Sequence, residues 1–113
     1  MHLDPMRDGT FDACMRTGRV PIVWSPLAGG RVISGEGMPD ALATALDAIA
    51  ERESVDRATV ALAFVLAHPS APVAIIGTQR PERIAAAAAA FGVTLDRADV
   101  YTLVQASEGV PLP

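Results

Sequence analysis

The sequence predicts an α/β fold in which helices cover a parallel sheet. Two short apolar runs, residues 20–24 and 73–76, have the β-branched composition of buried parallel strands. Segments with apolar residues at helical spacing lie before, between and after these runs. Half of the 113 residues are hydrophobic and only 4% are aromatic, so the core is expected to be aliphatic. This alternation of strands and helices favours a parallel sheet.

The first helix and strand are predicted from their end signals. A short helix is expected to begin at Asp8 or Thr10 and run to Arg16, because Gly18 is placed to end it in a left-handed conformation. The strand 20–24 follows, and its second residue is a proline, which a strand start tolerates. Residues 25–38 contain four glycines and a proline, which predicts an unusually long loop.

Two helices are predicted in the middle of the chain. Pro39 suits the first turn of a helix, and the pattern ends at the polar stretch 51–54. Its apolar residues recur at helical spacing, and they are Leu42, Leu46, Ile49 and Ala50. Asp56 is a predicted N-cap for a second helix over 57–67, which stops before Pro69.

The second strand, 73–76, is predicted to pass through a short loop into a helix that begins near Pro81 and includes the alanine run 85–90. Asp96 caps a last helix through Val104, and residues 108–113 are expected to have no regular structure. Two strands cannot close a sheet and leave both edges unpaired. We therefore expect residues 1–113 to form one incomplete domain that belongs to a larger sheet.

Charge and composition exclude several classes of function. The net charge of -4 and the pI of about 4.9 give no basic surface for nucleic acid or an anionic membrane. The longest apolar run, residues 60–67, is far shorter than the ~20 residues that span a bilayer, and residues 1–8 do not resemble a signal peptide. The single Cys14 cannot form an internal disulfide, so we expect a cytoplasmic protein without a metal site.

The ends of the two strands are candidate phosphate sites. A strand that ends at a glycine-rich loop or at a helix start presents backbone N–H groups and a helix dipole, both of which favour anions. Consecutive units of this kind hold phosphate in many (β/α)8 barrels. Arg80 and Arg83 could add charge-assisted hydrogen bonds after the second strand. The alternative is that Gly29, Gly30 and Gly77 are ordinary turn residues and that both arginines are simply solvated.

Two motifs give the chain a family resemblance. The segments VPIVWSPLAGGR, residues 20–31, and VAIIGTQRPERI, residues 73–84, resemble the seventh and eighth strand motifs of the aldo-keto reductases. The resemblance covers nearly the whole chain. It implies the last two strand–helix units of a (β/α)8 TIM barrel with an additional C-terminal helix, and it implies NADP(H) as the cofactor.

The resemblance also implies roles for individual residues. Trp24 is similar to the aromatic residue that stacks on the nicotinamide ring. Gly77, Thr78 and Arg83 match positions that hold the adenosine 2'-phosphate. Residues near the pyrophosphate or beside the 2'-phosphate are then Ser25, Pro26, Leu27, Gly29, Gly30, Arg31, Gln79 and Arg80. The chain departs from the family at Ala86 and Ala87, where Glu, Asn or Gln often contacts the adenine, so fewer adenine contacts are expected.

No catalytic residue is expected in the chain. The family transfers hydride from NADPH to a carbonyl with a Tyr, Lys, Asp and His tetrad on early strands. This chain contains no lysine, its one tyrosine is Tyr101 in the last predicted helix, and neither His2 nor His68 lies at a strand end. Three interpretations remain open: the NADP-binding segment of an aldehyde or ketone reductase, a non-catalytic cofactor-binding module that pairs with a chain supplying the missing strands, and an inactive remnant.

Overall fold

The computed structural model describes residues 3–111, and its elements alternate as the sequence predicts. His2 and the last two residues of the predicted tail lie outside the described residues. The helices and strands are α1 Asp4–Arg7, α2 Thr10–Thr17, β1 Ile22–Trp24, α3 Arg31–Ser34, α4 Asp40–Glu53, α5 Arg57–Leu66, β2 Val73–Ile75, α6 Pro81–Ala87 and α7 Arg97–Glu108. Two 3-10 turns cover Ala28–Gly30 and Ala88–Gly92.

The predicted helix ends are confirmed where a cap residue defines them. Gly18 ends α2 with a φ of 65°. The Asp56 side chain accepts hydrogen bonds from the backbone N–H and the hydroxyl of Thr59, both at 2.7 Å, and so caps α5. A capping box formed by Asp96 and Asp99 begins α7.

Several boundaries differ from the prediction. The helix α4 continues through the polar stretch to Glu53, with Pro39 as its N-cap rather than in its first turn. The helix α7 continues past Val104 to Glu108, because Gly109 supplies the left-handed ending only there. The helix α6 ends at Ala87, and the rest of the alanine run forms the second 3-10 turn.

Two short helices were not predicted. The helix α1 precedes α2, and α3 lies inside the segment 25–38 that was expected to be a loop. Each has four residues, which is too short for an apolar periodicity to be visible in the sequence. Left-handed glycines, Gly30 and Gly35, flank α3 and allow one turn of helix between two chain reversals.

The main core lies between α4, α5 and α7. Leu42 and Leu46 of α4 are 1% exposed, and Val60 of α5 and Leu103 of α7 are fully buried. The predicted apolar face of α4 is therefore confirmed. A second cluster formed by Leu62, Ala63 and Ala90 packs against the sheet.

The sheet contains two parallel strands, with Ile22 opposite Val73 and Trp24 opposite Ile75. These four side chains share one face because alternate strand residues point the same way. That face is open: Trp24 is 82% exposed and Ile22 is 67% exposed. The expectation of fully buried strands is therefore wrong for this face. The reason is that the packed helices cover only the opposite face, where Ala74 contacts the second cluster.

Within residues 3–111, no helix combines the length and the apolar character needed to span a membrane. The same part of the chain contains no group of three or more His, Cys, Asp or Glu side chains that could hold a metal ion.

Candidate functional site

A cleft of about 750 Å³ lies at the carboxyl ends of the two strands. This volume is within the range of roughly 300–1,000 Å³ that is usual for small-molecule sites. The glycine-rich segment after β1 forms one wall, the first turn of α5 forms another, and the end of β2 with the first turns of α6 completes the cleft. The lining residues are Ser25, Pro26, Leu27, Gly29, Gly30, Ile33, Asp56, Ala58, Thr59, Leu62, Ile75, Ile76, Gly77, Thr78, Arg83, Ala86 and Ala87.

Most residues predicted to contact a dinucleotide meet in this cleft. Those that line it are Ser25, Pro26, Leu27, Gly29, Gly30, Gly77, Thr78 and Arg83. Trp24, Arg31, Gln79 and Arg80 do not line it. The parallel pairing explains why the two motifs converge, since residues that follow the ends of neighbouring parallel strands lie at the same edge of the sheet.

Trp24 stands at the margin of the cleft rather than inside it. It is the last residue of β1 and lies opposite Ile75, which lines the cleft. Its indole is 82% exposed and belongs to the open face of the sheet. Trp24 and Arg83 therefore lie near the same edge of the sheet, as a shared pocket requires. The ring is free of the core and available to stack on a planar group.

Arg83 is the basic side chain of the cleft. It lies in the first turn of α6 and, within residues 3–111, no carboxylate is within ion-pair distance of it. Thr78 is nearby in the chain, and its hydroxyl oxygen accepts a hydrogen bond of 3.2 Å from the backbone N–H of Arg80. The Thr78 hydroxyl proton can therefore still be donated to an anion. A guanidinium and a hydroxyl together can bind a phosphate oxygen.

The backbone of the glycine-rich wall supplies fewer donors than the sequence suggested. The N–H groups of Ala28 and Gly30 donate to the carbonyls of Ser25 and Leu27 at 2.9 and 3.0 Å. After the second strand, α6 begins with Pro81, which has no backbone N–H. The N–H of Arg83 already donates to the carbonyl of Arg80 at 3.1 Å. These N–H groups are therefore not free to bind an anion, and the side chains of Arg83 and Thr78 supply donors in the cleft.

Three glycines leave open space in front of the backbone. A Cβ atom added to Gly29, Gly30 or Gly77 would meet no atom within 4 Å. The φ angles of Gly29 and Gly30 are 67° and 92°, which residues with a Cβ adopt with strain. Gly77 lies outside that left-handed region, so its lack of a side chain is not required by the backbone. A ligand could approach the main chain closely at all three positions.

Sequence reasoning missed the wall formed by the first turn of α5. Asp56 was predicted only as a cap, and Ala58, Thr59 and Leu62 were not assigned to the site. Apart from the Asp56 cap, these residues carry no ligand-binding pattern, and only their position in space places them there. Asp56 is the acidic residue that lines the cleft, and its bonds to Thr59 keep its carboxylate engaged with α5.

The remaining candidates for acid–base chemistry lie away from the cleft. The Nδ1 atom of His68 is 2.8 Å from the Ser70 hydroxyl, and the imidazole ring packs 4.5 Å from the ring of Phe11. Burial lowers the pKa of His68. The Tyr101 hydroxyl accepts a 2.8 Å hydrogen bond from the Nε–H group of Arg97. Both residues are outside the cleft lining.

Comparison with known proteins adds the family. The model of the aldo/keto reductase family matches residues 6–108. A 6-dehydroglucose reductase of Novosphingobium aromaticivorans is 40% identical over 114 residues, which covers 100% of this chain and 38% of that protein. The oxidoreductase YcsN of Bacillus subtilis is 33% identical over 113 residues, covering 98% of this chain and 38% of that protein.

A solved structure agrees with this result. The crystal structure of a thermostable aldo-keto reductase with the inhibitor epalrestat superposes with a TM-score of 0.79 at 25% sequence identity. The superposition covers 93% of this chain and 36% of that one. The chain thus spans less than two fifths of the proteins that it matches. The family model, the relatives and the shared fold agree: the chain belongs to the aldo/keto reductase family.

Proposed function

We propose that this chain is the NADP(H)-binding part of an aldo-keto reductase whose full-length form reduces aldehydes or ketones with NADPH. The observation that supports the proposal is the cleft at the carboxyl ends of both strands, where Arg83 and Thr78 face the glycine-rich wall. In this proposal the two strand–helix units are the last two of a (β/α)8 barrel. The single Cys14 agrees with a cytoplasmic location.

The residues present are compatible with a dinucleotide phosphate. Arg83 and Thr78 would hold the adenosine 2'-phosphate, the open backbone at Gly29 and Gly30 would admit the pyrophosphate, and Trp24 would stack on the nicotinamide. When bound, NADPH supplies the hydride. Few polar contacts to the adenine are expected, because Ala86 and Ala87 line that part of the cleft.

The experiment that tests cofactor binding is a titration of the purified chain with NADPH and with NADH. Removing one charge-assisted hydrogen bond costs about 1.5–3 kcal/mol, which is about a 10- to 150-fold loss of affinity. Arg83→Ala is expected to lose NADPH affinity by this factor and to leave NADH binding nearly unchanged. Arg16→Ala, in the exposed last turn of α2, is the matched control. Equal NADPH affinity of both variants would count against the proposal.

The chain alone is expected to show no turnover. It contains no lysine, and within residues 3–111 Tyr101 and His68 lie outside the cleft, so none of the family's usual proton donors is placed there. The test is NADPH absorbance in the presence of a panel of aldehydes and ketones, with 6-dehydroglucose included because two relatives carry that activity in their names. Measurable carbonyl reduction would show that a proton donor has been overlooked.

A second candidate function is complementation by a polypeptide that supplies further strands. The open face of the sheet favours it, because Ile22, Trp24, Val73 and Ile75 are 48% to 82% exposed on a single face. Co-expression with the part of an aldo-keto reductase that this chain lacks is expected to give a complex with carbonyl reductase activity. A chain that elutes only in the void volume with and without this partner would instead support an inactive remnant.

A further inference from the structure

The glycine-rich wall of the cleft has a backbone that needs to be held in place. Ser25 and Ala28 adopt left-handed φ angles of 50° and 52°. Residues with a Cβ are disfavoured there and keep such angles only where the surrounding structure fixes them. Ala28 receives one restraint from Arg31, whose Nε–H group donates to its carbonyl at 3.1 Å. The Arg31 side chain therefore stabilises the glycine-rich wall to which it belongs.

A second restraint comes from Arg57, the first residue of α5. Its guanidinium donates to the Asp47 carboxylate of α4 through two nitrogens, with the Nε to Oδ1 distance at 2.7 Å. A third nitrogen donates to the carbonyl oxygen of Val32 in α3 at 3.4 Å. The same nitrogen lies 3.5 Å from the position that a Cβ of Gly35 would take. One side chain thus donates a hydrogen bond to α3, passes beside the glycine that ends it, and joins α3 to α4 and α5.

Arg57 stands between two walls of the cleft. The residues that follow it in α5, Ala58 and Thr59, line one wall. The chain that precedes and includes α3, with Gly30 and Ile33, lines the other. The hydrogen bond from the Arg57 guanidinium to the Val32 carbonyl therefore links the two walls. The Arg57 side chain is 23% exposed and that of Asp47 is 54% exposed, so water competes for the ion pair, whereas the hydrogen bond to the Val32 carbonyl is partly buried.

We infer that Arg57, oriented by Asp47, is a positioning residue that holds the glycine-rich wall at the distance needed to bind the dinucleotide. This inference rests on the proposed function. The planar guanidinium suits this role because it can donate to a carboxylate through two nitrogens and to a carbonyl through a third. A lysine could keep the charge pair with Asp47 but could not reach both groups in the same geometry.

The test compares Arg57→Lys with the wild-type chain in two measurements. NADPH affinity is expected to fall about 10-fold, and amide hydrogen exchange over residues 28–35 is expected to become at least 10-fold faster, while the urea midpoint changes little. A purely structural ion pair would be rescued by lysine in all three measurements. Asp47→Asn is the second variant, and it is expected to give the same changes in smaller measure, because Arg57 loses its orienting charge but keeps its donor geometry.

The matched control is Arg52→Lys. Arg52 also donates through two nitrogens to a carboxylate, that of Asp99, both at 2.8 Å, and to the carbonyl of Thr94 at 3.3 Å. None of these residues lines the cleft. The control is expected to leave NADPH affinity and exchange over residues 28–35 unchanged.

The outcomes separate the inference from the proposed function. If the wild-type chain binds NADPH, and Arg57→Lys binds equally well with unchanged exchange over 28–35, the inference is wrong and the proposed function stands. If the wild-type chain does not bind NADPH, the proposed function fails. Exchange in the free chain then decides the positioning role: faster exchange over 28–35 in Arg57→Lys supports it, and unchanged exchange overturns it.

Discussion

Replacing Gly77 with alanine is expected to change stability and binding in opposite directions. A Cβ at this position meets no atom within 4 Å, and the φ angle lies outside the left-handed region. The folded chain can therefore accept alanine without strain, and the substitution reduces the freedom of the unfolded chain. The expected gain is about 0.4–1 kcal/mol in the free energy of unfolding. For a domain of this size that gain raises the melting temperature by about 2 to 8 °C.

Gly77 lines the cleft that is proposed to hold the dinucleotide. Because no described residue lies within 4 Å of the new methyl group, we expect a collision with it only from a bound ligand. A collision that pushes the phosphate out of one charge-assisted contact would cost about 1.5–3 kcal/mol, which is about a 10- to 150-fold weaker Kd for NADPH.

The assay pairs thermal unfolding with NADPH titration for Gly77→Ala and for Gly92→Ala. Gly92 is the matched control, since a Cβ there also meets nothing within 4 Å at an unstrained φ, and it does not line the cleft. The control is expected to gain similar stability with unchanged affinity. Unchanged NADPH affinity in Gly77→Ala would refute the close approach of a dinucleotide to this backbone, and a lower melting temperature would refute the open space in front of it.

Three further predictions concern stability. Leu103→Ala, at a side chain with 0% exposure between α7 and α4, is expected to lower the free energy of unfolding by about 2–5 kcal/mol in urea titrations. Asp56→Ala removes the cap of α5 and is expected to cost about 1 kcal/mol by the same method, whereas Asp40→Ala, which makes no cap bond, should cost less. The hydrogen bond from Arg52 holds the pKa of Asp99 below its ordinary value of 3.8, so the pair contributes stability above that pH and loses it as the pH falls through the lowered pKa. Asp99→Asn is expected to reduce the loss of unfolding free energy at acid pH. An unchanged pH dependence would contradict the assignment of this loss to the Arg52–Asp99 pair.

The parts of the fold that were predictable are those encoded by short-range patterns. The face of α4 that carries Leu42 and Leu46 and the cap at Asp56 depend on residues within one or two turns of each other. The convergence of the two strand-end motifs was also predictable, because parallel pairing brings their carboxyl ends to one edge.

The parts that failed depend on distant or absent neighbours. Apolar residues such as Ile22 indicate that a strand is suited to burial. They do not indicate whether this chain contains the residues that would bury it, and here one face of the sheet stays exposed. The hydrogen bond from Arg57 to the Val32 carbonyl joins positions 25 residues apart, and no sequence pattern indicates it. The same applies to the wall of the cleft at Ala58, which enters the site only through packing.

The pairing of β1 with β2 has a consequence for the order of folding. The two strands are separated by residues 25–72, so every ladder bond requires closure of a long segment before it contributes any stability. The helices α4 and α5 are adjacent in the chain and can pack on each other without that closure, so they can form earlier. A partly folded chain would then show a helical circular dichroism signal without a cleft, so dinucleotide binding reports on completion of the tertiary structure rather than on secondary structure.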